Sequence, residues 1–76
     1  MSKLIGVRFQ RADKVHYFAL EDLDVSLYDR VVVETDRGLE TAMVVIDPDQ
    51  VVYSEVQGPF KSVLRKATPE DLKQGI

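Results

Sequence analysis

The chain has 76 residues, of which 45% are hydrophobic and 30% charged, with a net charge of −3 and a pI near 5.0. That length makes one domain, and such a domain buries only ~60% of the surface its unfolded chain exposes. No cysteine is present, which excludes a disulfide framework, an iron–sulfur cluster and a thiolate zinc site.

The first periodic element is Leu4 to Phe9. There Ile5, Val7 and Phe9 alternate with Leu4, Gly6 and Arg8, the spacing of a strand with one apolar face. Polar residues 10–14 read as a hairpin connection to a second strand over Val15 to Leu20. The acidic stretch Glu21 to Tyr28 is predicted as a loop pinned by Leu23, Val25 and Leu27. Arg30 to Thr35 is a β-branched run too short for a helix, and Gly38 lets a tight turn lead into Leu39 to Ile46. Asp47-Pro48-Asp49 marks the next turn. Val51 to Tyr53 and Lys61 to Arg65 are expected as two further short strands. The chain then changes character. Thr68 is a helix N-cap, Pro69 suits the first helical position, Glu70 and Asp71 suit the dipole, Leu72 is the apolar anchor and Gly75 the stop.

These elements predict a mainly all-β fold: a small SH3-like barrel of five to six short antiparallel strands with a short C-terminal helix. Residues 1–67 make the barrel and 68–76 the helix. The first residues carry one positive charge and reach Arg8 before any long apolar run, so neither a signal peptide nor a membrane span is expected. Together with the missing cysteines, this makes the cytoplasm the expected compartment.

Catalytic groupings are not found. His16 is the one histidine and has no orienting partner at a supportive spacing, so it reads as a surface or packing residue. Asp47 and Asp49 resemble the start of a calcium loop, but the sixth and twelfth positions are Val52 and Gly58, so the turn reading wins. The acids between residues 21 and 29 read as a solvated loop, and the glycines form no phosphate-cradling motif. No cofactor, metal or enzymatic reaction is predicted.

Two basic groupings are candidates for a binding face: Arg8, Arg11 and Lys14 around the first hairpin, and Lys61, Arg65 and Lys66 near the end. If they met across the barrel they would contact phosphates or an acidic partner; a surface of mixed sign is the plainer reading. Tyr17, Phe18 and Phe60 are expected in the core.

The segments Gly6-Val7-Arg8-Phe9, Tyr17-Phe18, Val31 to Glu40 and Val63 to Leu72 carry a resemblance. In them the chain is similar to the N-terminal part of the polymerase-suppressor (PSP) C-terminal domain family, which includes YaaT-type bacterial regulators of sporulation and RNA decay. The runs Val31 to Glu40 and Arg65 to Leu72 are its more specific parts. The chain departs from the family pattern at Tyr28 and Ala42, where members commonly have glycine. The family domain continues beyond the helix, into the region that holds the cluster-binding cysteines of YaaT-type regulators, so cluster binding does not carry over. The resemblance implies a non-enzymatic adaptor in RNA metabolism or cell-state control, with Arg37 and Arg65 as motif residues; Arg65 would alternatively pair with a nearby carboxylate. A protein partner is expected, with direct RNA binding through a basic face and homodimerisation through an uncovered helix face as the alternatives.

Overall fold

The computed structural model describes residues 3–10 and 14–73. Five strands form one antiparallel sheet: β1 (Lys3–Phe9), β2 (Val15–Leu20), β3 (Arg30–Thr35), β4 (Gly38–Ile46) and β5 (Arg65–Lys66), in the order β2-β1-β4-β3-β5. A short α-helix, α1 (Pro69–Lys73), follows.

Residues 61–67 draw the two edges of the sheet together. The Lys61 carbonyl accepts from the Ala19 amide at 2.8 Å, and the Val63 amide donates to the Ala19 carbonyl at 2.9 Å. The same segment then changes partner: the Leu64 amide donates to the Val32 carbonyl at 3.0 Å and the Ala67 amide to the Arg30 carbonyl at 2.9 Å. One segment thus satisfies backbone groups on the exposed edges of both β2 and β3, which gives a small all-β barrel. This change of partner also explains why the strand expected over Lys61 to Arg65 is only partly formed. Ser62 makes a lone parallel bridge to Ala19, and the ladder with β3 holds only Arg65 and Lys66.

The interior is filled by the inward side chains of the strands, among them Ile5, Val7, Val31, Val33 and Val44, all fully buried. Phe9 and Phe18 pack edge to face with centroids 6.4 Å apart. The loop after β2 is held by two of its three expected apolar residues, with Val25 buried and Leu23 packed against the core; Leu27 is half-buried and belongs to neither cluster.

A second cluster lies on the outside of the β1–β2 pair. Leu4, Ala19 and Val51 are buried there, with Tyr17, Ile46, Val56 and Phe60 packed on them. The strand expected at Val51 to Tyr53 is absent: Tyr53–Glu55 form a 3-10 turn instead. The apolar residues of this stretch are spent as a cover over the outer faces of Leu4 and Ala19, where pairing into the sheet would have carried them away. Tyr53 fastens the cover, its hydroxyl accepting from the Leu4 amide and donating to the Pro48 carbonyl, both at 3.2 Å. Phe18 fills the barrel as expected, whereas Tyr17 and Phe60 belong to this outer cluster.

Candidate functional site

At the mouth of the barrel a cleft of about 390 Å³ opens between the β1–β2 pair, the β3–β4 turn and Lys61. Its lining combines Phe9, His16 and Phe18 with Glu34, Asp36, Arg37 and Lys61. His16 stands edge-on to Phe9 at 5.3 Å and is half buried, the packing role its sequence context foretells. The β3–β4 turn is built locally. Gly38 takes φ +101°, the Arg37 amide donates to Thr35 Oγ1 at 3.1 Å, and the Thr35 hydroxyl bonds the Glu40 carboxylate. Arg37 is thereby presented, exposed, at the tip of the turn. Glu34 stands opposite Leu39 in the ladder, so it makes no cross-strand ion pair there.

A second groove of about 330 Å³, which shares Phe9 with the cleft, runs over β1, β4 and β3, lined by Arg8, Gln10, Arg30, Thr41, Ala42 and Met43. Register explains it: Arg8 stands opposite Met43, and Met43 opposite Arg30, so the three share one face across three strands. Arg30 is absent from the sequence-based candidates because its neighbours there are strands distant in the chain.

The remaining basic candidates scatter. Arg37 and Lys61 share the mouth cleft, and Arg8 lines the second groove. Lys14 is exposed at the start of β2, and Arg11 lies outside the described residues, as does Gly75. Arg65 forms a two-pronged pair with Asp71, the second contact at 2.9 Å, and Lys66 reaches Asp29 at 3.4 Å.

The Arg65 pair accounts for the motif around it. Asp71 is buried, and its carboxylate also accepts the Thr68 amide at 2.8 Å, while Thr68 Oγ1 accepts the Asp71 amide at 3.1 Å. This is a capping box with aspartate as the reciprocal acid, and it pins α1 to β5. Arg65, and then the Thr68 amide, hold the Asp71 carboxyl well below the usual carboxylate range, and the same pair raises the Arg65 guanidinium. Leu72, expected to anchor the helix, is 46% exposed; the anchor is polar, because a helix of five residues turns Asp71 rather than Leu72 toward β5. At Asp29 the Ser26 amide, and secondarily Lys66, lower the carboxyl.

Tyr28 is the backbone outlier. It adopts φ +70° with its side chain exposed. The Tyr28 amide donates to the Val44 carbonyl at 2.7 Å and the Val44 amide to the Asp29 carbonyl at 2.9 Å, so two residues oppose one. That is a β-bulge of the kind whose first residue is ordinarily a left-handed glycine. The Asp29 amide closes the preceding turn onto the Ser26 carbonyl at 3.1 Å.

Among the described residues no group of three His, Asp or Glu side chains is placed to hold a metal, and no helix is long and apolar enough to cross a membrane. No family model matches the chain, and no solved structure matches it. Over 72 residues, 95% of its length, the chain is 40% identical to Stage 0 sporulation protein YaaT of Bacillus subtilis (strain 168). It spans 26% of that protein, so the likeness is to about a quarter of a longer sporulation protein.

Proposed function

We propose that this chain is a non-enzymatic protein-binding module, acting as an adaptor in bacterial cell-state control of the sporulation type. Its membership of the PSP C-terminal domain family and a link to RNA metabolism belong to the same reading. The observation that carries it is the mouth cleft, where an aromatic floor meets Arg37 and Lys61 beside Glu34 and Asp36. Side chains of both signs around an apolar base suit a folded or peptide partner with complementary charges. A polynucleotide would meet two carboxylates there, and the chain carries a net −3 against it. Arg65 and Lys66 add little to a basic track, since each is paired within the fold.

The test is affinity capture of the tagged chain from its host lysate, with and without nuclease, beside the double variant Arg37→Glu/Lys61→Glu. Proteins that survive nuclease and are lost with the double variant support the reading. Capture that vanishes with nuclease transfers the function to RNA, and capture indifferent to the variant removes the cleft from it.

A further inference from the structure

We propose that the mouth cleft receives an extended peptide, which adds a strand to the free end of β3. This rests on the protein-binding reading of the cleft and names the form of its partner. Residues 61–67 close the barrel only in part. Alternate residues of an antiparallel strand turn their backbone groups to opposite edges, so every second residue of β3 faces away from β4. Arg30 and Val32 do so, their carbonyls accepting from Ala67 and Leu64. Glu34 is the next residue on that edge. No described residue takes its amide or carbonyl, because the joining segment has crossed to β2 by Val63. On β2, Ala19 bonds Lys61 and Val63, while Tyr17, the next residue of that edge toward the mouth, has no described backbone partner on this side. The cleft is therefore the gap between two strand edges that run on past the segment joining them. Its lining passes from His16 and Phe18 of β2 to Glu34 and Thr35 of β3.

An unpaired edge is a template for one more strand. A strand laid beside Glu34 turns alternate side chains inward, onto Phe9 and Phe18, and the others outward. The charges around the gap suit that occupant. Among the described residues the side chains of Glu34, Asp36, Arg37 and Lys61 have no hydrogen-bond or ion-pair partner. A peptide supplies both signs, a cation toward Glu34 and Asp36 and a carboxylate toward Arg37 and Lys61. The occupant is an extended segment in which an apolar residue is flanked by side chains of opposite charge. Backbone bonds to Glu34 hold it, and the aromatic floor and the four charges select it.

The experiment selects binders of the whole chain from a displayed library of short random peptides. The tightest is then made synthetically and added while amide exchange is followed. Exchange at Glu34 should slow at least ~10-fold, while the Val33 amide, already bonded to β4, changes little. Glu34→Pro removes the donor at an edge position where proline is tolerated, and should weaken binding ~10-fold. Glu34→Gln keeps the backbone groups and should weaken it about 3-fold at most. If Glu34→Pro lowers the unfolding midpoint, exchange in the unaltered chain decides alone. Binding that is lost in Arg37→Glu/Lys61→Glu but indifferent to Glu34→Pro, with Glu34 unprotected, overturns the added strand and leaves the cleft as a protein site. Failure to select any peptide, with partner capture still lost in the double variant, has the same meaning. Binding indifferent to the double variant as well removes the cleft itself. Protection of Glu34 that grows with concentration in the chain alone makes the occupant a second copy, which also overturns the proposal.

Discussion

The barrel interior and the cluster on the outer side of β1 and β2 are both apolar, yet they are built in different ways. The interior is made by strand alternation: Ile5, Val7 and Phe9 point inward against Val31, Val33 and Val44 because successive side chains of a strand face opposite ways. The outer cluster has Leu4, Ala19 and Val51 buried but none of them fully, and its lid is irregular chain held by Tyr53. A regular ladder satisfies its own backbone groups while it buries side chains, whereas an irregular cover needs specific side-chain bonds to stay in place. The interior should therefore carry most of the stability, and the outer cover should yield first.

Substitutions can sharpen that contrast. Ile5→Ala opens a cavity at the centre of the barrel and should cost about 2–5 kcal/mol, read from the shift of a urea unfolding midpoint. Gly6→Ala tests the junction between the two regions. A Cβ there would lie 2.9 Å from Ile46 Cβ and 3.0 Å from Val15 Cγ1, so about 1–3 kcal/mol should be lost to overpacking. Tyr53→Phe keeps the ring and removes both hydroxyl bonds of the cover. A loss of about 1 kcal/mol is expected, with amide exchange accelerated at Leu4 before it changes at Val44. If exchange rises equally at both, the two regions unfold as one unit and the contrast fails.

Two smaller effects lie outside both cores. Tyr28→Gly relieves a left-handed conformation that costs an L-residue about 1–2 kcal/mol, offset in part by glycine's greater unfolded-state entropy; a net gain of up to about 1 kcal/mol is expected in thermal unfolding. The Asp71 pair should appear as an acid limb in the pH dependence of stability. Because the folded carboxyl titrates below the ordinary 3.8, the unfolded chain binds more protons as pH falls through that region, so stability falls with it. Stability from this group is fully present above the ordinary value. In Asp71→Asn the corresponding part of the limb should vanish from unfolding curves taken across that range.

Much of the fold was legible residue by residue. β2 and β3 lie where β-branched and aromatic runs predict them, and the turn at Asp47 forms with its carboxylate accepting the Asp49 amide at 2.9 Å. The bulge opposite Val44 is where Tyr28 takes its left-handed φ, a conformation that glycine adopts without cost. Val51 and Val52 misled because β-branched composition favours a strand without stating which partner is available. Leu72 misled because one apolar residue in a short helix does not fix which face is turned inward. The candidate site was less legible. Nearness along the chain groups the cations one way and the fold another: Arg37 shares a cleft with Lys61, and Arg8 a groove with Arg30.

By itself the sequence determined the β-rich class, the turns and the helix cap, because alternation, glycine at positive φ and N-cap chemistry act within a few residues. Tertiary structure alone decided that residues 61–67 would bridge both sheet edges, that residues 47–60 would cover the outer face, and which cations would share a groove. Those outcomes depend on pairings between segments far apart in the chain, whose register is set only when the hydrophobic faces of several strands are buried together.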